Sequence, residues 1–238
     1  KNRYNIQTND GEDMSIFADR VEELQRKQNS NILSIQDENV YFAENPDEET
    51  LRKIELAKQV ELDNFKHFQV FEEVNRKEIE QKQVIISSRW IIQRKDDGRM
   101  KARIVARGYE EGEMSSVDAP TVDKTSLRTI LTIATMKKWK CSSLDVKSAF
   151  LQSHKLDRYV YLNPPKDIRK DDVLWKIKKP IYGLKDSAKN WYCTLRSELL
   201  ELGCKESILD PTVFCYYNEN VLKGLFICHV DDFLYGGC

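Results

Sequence analysis

Apolar residues first recur at helical spacing in "NPDEETLRKIELAKQVELDNFKHF". Pro46, acids in the opening turn, and then Leu51, Ile54, Ala57, Leu62 and Phe65 predict an amphipathic helix. Upstream, residues 1–45 hold no sustained period and are rich in Asn, Gln, Asp and Glu, which predicts a polar, disordered linker with short helical stretches around "FADRVEELQRK". Downstream the period shortens. "FQVFEEV" and "QVIISSRWIIQRK" read as short strands, and "RWIIQRKDDGRMKARIVARGY" reads as a hairpin whose "DDG" turn leaves Gly98 ready for positive φ.

The pattern then alternates. "SLRTILTIATMKKW" predicts a helix with Leu127, Ile130, Leu131, Ile133 and Ala134 as its apolar stripe. "KCSSLDVKSAFL" predicts a short strand through Leu144 and Val146, with Asp145 near its end, turning into a helix. "YVYLNPP" is a strand stopped by Pro164 and Pro165, and "VLWKIKKPIYGL" a strand that turns at Gly183. "KDSAKNWYCTLRSELLELG" follows as a helix closed by Gly203. The last run, "TVFCYYNENVLKGLFICHVDDFLYGG", holds three β-rich stretches divided by Asn218–Asn220 and by the pair Asp231–Asp232. Helices interleaved with hairpins predict an α+β fold, an antiparallel sheet backed by helices. The expected division is 1–45 linker, 46–80 helix and lead-in, and 81–238 main domain.

At 238 residues and 40% apolar content the chain is long enough for a real core, although 32% charged residues and a mean hydropathy of -0.60 make it polar. Six cysteines with no CxxC pair argue against a zinc ribbon or a disulfide scaffold and for a reducing compartment. No apolar run approaches a membrane span, no signal peptide opens the chain, and no GxxxxGK phosphate loop is present. Starting at Lys1 and stopping just after the paired aspartates, the chain reads as a piece of something longer.

The net charge of -1 hides an asymmetry: residues 1–80 hold 11 basic against 19 acidic residues, the remainder 27 against 20. Positive charge collects on the predicted hairpin, where Arg99, Lys101, Arg103 and Arg107 recur mainly at period two and so share a strand face. Such a row either cradles phosphates or guards an edge strand against aggregation. The paired aspartates are equally two-sided. Asp is at home in turns, and two adjacent carboxylates also suit a hard divalent cation. A two-metal nucleotidyl-transfer site needs several carboxylates around ions roughly 3.5–4 Å apart, and Asp145 with Asp231 and Asp232 fits that requirement.

"KARIVARGY", "DAPTV", "SLRTILTIA", "LDVKSAFL", "VYLNPP", "LWKIKKPIYGLKDSAKNWY", "LDPTVF" and "HVDD", in this order, resemble the reverse transcriptase of copia-type LTR retrotransposon Pol polyproteins. The likeness runs from about Trp90 to the end, and more weakly back to the first helix. It implies a polymerase right hand with fingers at the basic hairpin and a palm carrying the acids. Asp145, Asp231 and Asp232 are then the catalytic acids, with two Mg2+ or Mn2+ ions bound by them and by the Val146 carbonyl. Lys101 and Arg103 match residues that hold the incoming dNTP, and Ser148 and Ala149 offer backbone N–H groups to it. Phe150 matches the position that excludes a ribose 2′ hydroxyl, or else packs in the core. Tyr182, Gly183 and Lys185 match the loop under the base pair and template, while His229 and Val230 line the primer. Trp191 is assigned to the core.

The implied partners are an RNA or DNA template with primer, dNTPs, and the remainder of Pol, including thumb, ribonuclease H and integrase; no membrane is implied. The implied location is cytoplasmic, in virus-like particles, with access to the nucleus. Three positions depart from the pattern: His229 replaces an aromatic residue, Asp186 replaces Gln close to the expected nucleic-acid path, and Asp118 replaces an aromatic before "APTV". The alternative reading is an inactive relic or a co-opted nucleic-acid-binding module that keeps the basic face.

Overall fold

The structure, a computed structural model, describes residues 46–95, 97–114 and 117–238. The expectations for residues 1–45 lie outside it. Helix α1 (Glu48–His67) begins where the Asp47 carboxylate accepts the Thr50 N–H at 2.8 Å, and Glu48 and Glu49 place negative charge at the positive end of the helix dipole. Ile54 and Phe65 of the predicted stripe are buried. Leu51 is not, being 48% exposed, and the remaining buried position of the helix is Glu61.

The described chain forms four α-helices and two five-stranded sheets, an α+β fold, and divides into two compact units. One unit draws on 46–119 and 147–197. Its sheet contains β1 (Phe71–Asn75), β2 (Ile85–Arg94), β3 (Met100–Ala106), β5 (Val160–Asn163) and β6 (Val173–Ile177), in the order β1-β6-β5-β2-β3. Only β2 and β5 pair in parallel. The central strands are buried on the side that meets α1. Phe65 from the helix packs with Val70, Ile86, Ile104, Leu162, Trp175 and Ile177.

The predicted hairpin is β2–β3, with Arg94 opposite Met100 and Gly98 at φ +82. Cross-strand partners share a face. Arg89 lies opposite Val105, Ile91 opposite Arg103 and Gln93 opposite Lys101, while Ile92 and Ala102 pack with Ile54 of α1. Lys101 and Arg103 therefore alternate with Ala102 and share the other face of the strand. Arg99 lies before the strand and pairs with Asp97 in the turn, so the predicted row is shorter than expected.

Strand β3 is the sheet's outer edge, so alternate N–H groups point away from β2 and need other partners. Ile104 N–H reaches the Glu61 carboxylate at 3.3 Å, and Ala106 N–H reaches the Tyr182 carbonyl at 2.8 Å. Just beyond, Gly108 N–H donates to the Gly183 carbonyl at 3.1 Å. The two backbones touch here. A Cβ on Gly108 would sit 2.1 Å from the Gly183 oxygen, and one on Gly183, at φ +89, would sit 2.1 Å from the Ala106 oxygen.

The second unit draws on Pro120–Val146 and Glu198–Cys238. Its sheet is antiparallel throughout, in the order β4-β10-β9-β8-β7, from β4 (Lys140–Asp145), β7 (Cys204–Glu206), β8 (Val213–Asn218), β9 (Val221–His229) and β10 (Asp232–Gly237). Helix α2 (Lys124–Met136), capped by Asp123 on Thr125 N–H at 2.7 Å, lays Leu127, Ile130 and Ala134 against Cys141, Val213, Leu225, Ile227 and Leu234. Strand β7 was not read from the pattern, because three residues are too few to carry a period. Two further α-helices lie among the described residues: α3 (Ala149–Gln152), and α4 (Ser187–Glu201), which buries Trp191 as expected. All six cysteines are unpaired thiols.

The glycine contact yields a graded prediction. Gly183→Ala and Gly108→Ala each force backbone apart and are expected to destabilise the chain by about 2–4 kcal/mol in urea unfolding. Gly98→Ala, with positive φ but open space around it, is expected to cost only about 1 kcal/mol.

Candidate functional site

Strand β10 lies between β4 and β9, and that placement gathers the acids. Asp232 stands directly opposite Asp145 on one side and His229 on the other, so all three project from one face. Val146 N–H donates to the Asp231 carbonyl at 3.0 Å, which ties the hairpin tip to the end of β4. The tip itself is two residues long. Val230 occupies φ +57, a region that a β-branched residue adopts at a cost of about 1–2 kcal/mol and that two-residue hairpins usually fill with glycine. Asp145 is exposed, and Asp231 and Asp232 are half-buried.

Like charges set opposite one another in a ladder repel, and a divalent cation is the natural counterweight for oxygen ligands. Among the described residues no three His, Cys, Asp or Glu side chains converge as a metal-holding group. The backbone brings Asp145, Val146, Asp231 and Asp232 to one strand end, with their carboxylates not drawn into a closed shell. His229 completes this end as a buried residue, 7% exposed, with neither ring nitrogen hydrogen-bonded. Burial pushes its pKa below the usual range and so favours the neutral ring, against the pull of the Asp231 charge toward the protonated one.

The other unit holds a cleft of about 150 Å³ lined by Glu61 and Asn64 of α1, Lys101 and Arg103 of β3, and Ser148 and Tyr182. The Arg103 guanidinium lies over the Tyr182 ring at 4.8 Å, and Phe150 meets the same ring at 5.0 Å between centroids. Arg103 Nε is buried without a hydrogen-bond partner, an unmet donor that an anion in the cleft would satisfy. Ser148 stands at the N-terminus of α3 at φ +54, without a side-chain cap bond, and Ala149 behind it is buried. Lys101, Arg103, Ser148, Phe150 and Tyr182 thus form one neighbourhood, with Gly183 adjacent in the docked loop. The sequence reading overlooked Glu61. Its place in a helical stripe was the available signal, but a charged residue there reads as solvent-facing.

Asp186 does not carry a bare negative charge toward a nucleic-acid path. Arg158 bonds both its oxygens, at 2.9 and 2.8 Å, and reaches Glu111 at 2.7 Å. Burial pushes the Asp186 carboxyl up, yet the Arg158 hydrogen bonds outweigh it and hold the group below the usual range. Lys185 belongs to the same knot. Its backbone N–H donates to Glu111, and its ammonium donates to the Glu111 and Gly112 carbonyls at 3.1 Å.

Residues 68–238 match the protein family described as reverse transcriptase (RNA-dependent DNA polymerase). The chain is 35% identical over 163 residues to a retrovirus-related Pol polyprotein from transposon RE2 of Arabidopsis thaliana, covering 64% of this chain and 11% of that polyprotein. It is 34% identical over the same length to the RE1 counterpart from that plant, with equal coverage. To the transposon Ty1-NL2 Gag-Pol polyprotein of Saccharomyces cerevisiae it is 37% identical over 163 residues, 67% of this chain and 9% of that one. The chain thus spans about a tenth of these relatives' length.

Two carboxylates are expected to respond oppositely to acid. The contribution of Glu61, whose carboxyl burial pushes above its ordinary 4.5, is full below that value and is lost as pH rises through the raised one. Urea unfolding of Glu61→Gln against the unaltered chain should therefore favour the variant increasingly from pH 4.5 toward neutral. Asp186 contributes above its ordinary 3.8 and loses that contribution as pH falls below it. Arg158→Met, which strands two buried carboxylates, is expected to cost about 3 kcal/mol at neutral pH by the same assay.

Proposed function

The chain belongs to the reverse transcriptase (RNA-dependent DNA polymerase) family, and from that premise we propose that it supplies the fingers and part of the palm of an RNA-directed DNA polymerase acting within a retrotransposon Pol polyprotein. The observation that carries this reading is the register setting Asp145 opposite Asp232, with Val146 N–H on the Asp231 carbonyl. Acidic residues distant in sequence are brought there to one strand end, the arrangement from which a nucleotidyl-transfer site can be assembled.

In this reading the unit containing Asp145, Asp231 and Asp232 is the palm, and the unit containing the β2–β3 hairpin is the fingers. Asp145, Asp231, Asp232 and the Val146 carbonyl would hold two divalent ions, Mg2+ or Mn2+, which when bound would supply positive charge for nucleotidyl transfer to a primer 3′ hydroxyl. Lys101 and Arg103 bind the triphosphate of the incoming dNTP, with Arg103 steadied by its stack on Tyr182. The backbone N–H groups of Ser148 and Ala149 contribute further donors to the same phosphates. Phe150, braced against Tyr182, fills the space beside the sugar and excludes a 2′ hydroxyl. Gly183 lets its loop lie flat on β3 beneath the base pair, and Lys185 steadies that loop toward the template. His229 and Val230 shape the hairpin tip toward the primer. The substrates are dNTPs and a primed RNA or DNA template. Thumb, ribonuclease H and integrase regions of Pol are the partners in cis, and the setting is a cytoplasmic virus-like particle.

The test is single-nucleotide incorporation on a primed RNA template with Mn2+, beside Mn2+ binding followed by electron paramagnetic resonance. Asp145→Asn and Asp231→Asn are each expected to lower incorporation at least about 100-fold and to weaken Mn2+ binding. Salt-sensitive template binding with no incorporation and no Mn2+ uptake by the unaltered chain would instead identify a nucleic-acid-binding module.

A further inference from the structure

The basic cleft contains a carboxylate that no role above employs. Glu61 comes from α1, which precedes the residues 68–238 matched by the family. Its side chain is buried, lines the cleft beside Lys101, Arg103, Ser148 and Tyr182, and accepts the Ile104 N–H at 3.3 Å. We propose that Glu61 is a positioning residue for polyphosphate binding: it anchors the free edge of β3 at Ile104, so that neighbouring Arg103 is presented to the cleft, and its charge trims the grip of Arg103 and Lys101. The inference rests on the nucleotide-binding reading of this cleft.

Two physical points carry it. First, among the described residues β3 has no strand on its outer side, so the direction of Arg103 depends on what holds that edge. Tyr182 holds it at Ala106, and Glu61 holds it one pleat earlier, at the residue next to Arg103. Second, an amide would satisfy the Ile104 N–H equally well, whereas only a carboxylate opposes the two cations across so small a space. With Glu61 ionised, a polyphosphate entering the cleft meets one negative charge as well as two positive ones, and that repulsion favours release as well as restraining binding. The unpartnered Nε of Arg103 marks the donor left available for the incoming anion.

The two effects separate by substitution. Binding of inorganic tripolyphosphate and of dTTP to the full chain is measured by calorimetry, with thermal melts recorded for every variant. Glu61→Gln keeps an acceptor for Ile104 and loses the charge, and is expected to bind both ligands about threefold more tightly. Glu61→Leu loses both, and is expected to bind about tenfold more weakly than Glu61→Gln. Glu61→Asp keeps the charge but falls short of Ile104, and is expected to bind more weakly than the unaltered chain. Equal binding by the Gln and Leu variants overturns the anchoring role, and Gln binding no tighter than the unaltered chain overturns the charge role. If the Leu variant does not melt cooperatively, the Asp variant decides anchoring in its place, with unchanged binding counting against it. Lys101→Ala with Arg103→Ala is the control for the underlying reading. If that pair leaves binding unchanged, or the unaltered chain binds neither ligand, the nucleotide assignment of the cleft fails and this inference falls with it. Loss of binding in the pair, with every Glu61 variant binding like the unaltered chain, overturns the Glu61 role alone.

Discussion

The outer edge of β3 is the constraint on which the arrangement of the basic cleft depends. An edge strand presents alternate N–H groups that a partly buried position cannot leave unmet. Here two very different partners meet them: a carboxylate from α1 at Ile104 and a backbone carbonyl from the Tyr182–Gly183 loop at Ala106. Each closure brings something with it. The helix delivers Glu61 to the cleft, and the loop delivers the Tyr182 ring under Arg103. Glycine at 108 and 183 follows from the same requirement, because the loop docks so closely that a Cβ would meet a carbonyl oxygen. The cleft is thus a by-product of how one sheet edge is sealed.

A different device organises the acids. Antiparallel pairing on both sides of β10 fixes Asp232 between Asp145 and His229, and leaves a two-residue tip that holds Val230 in a conformation suited to glycine. The tip does not relax, because its flanks are paired and the Asp231 carbonyl is bound by Val146 N–H. Strain confined by pairing in this way is common where a chain must hold a reactive group at a set angle. Beside it, His229 buries two unbonded ring nitrogens, a cost that a tyrosine or phenylalanine in the same place would reduce.

Formal charge along the chain is a poor guide to the field a ligand meets. Asp186 looks exposed and repulsive in sequence, yet Arg158 and Glu111 enclose it in a bonded knot that also fixes Lys185. Lys101 and Arg103 share a strand face with Arg89, Ile91 and Gln93, and line a cleft in which Glu61 is the acidic residue among the described lining residues. The distinction between neutralised and presented charge is made by contacts between segments far apart in the chain.

Local physics therefore accounts for what was legible. Periods of 3.6 and 2, Pro46 with acids in the opening turn of the first helix, the Asp-Gly turn, and proline and glycine stops were enough to place nearly every helix and strand. Ordered motifs were enough to nominate the acids, the basic pair and the Phe150–Tyr182 neighbourhood. Those signals depend on residues within one turn or one hairpin of each other, and they survive in a linear reading. What only the tertiary structure decided is which atoms from distant segments meet: Glu61 with Ile104, Arg158 with Asp186, Asp145 with Asp232, Gly108 with Gly183. A helical stripe predicts that position 61 faces inward but not that an unpaired strand edge waits there with a donor. That knowledge requires the sheet order, which is set by how non-local strands bury their apolar faces together rather than by any residue's neighbours in sequence.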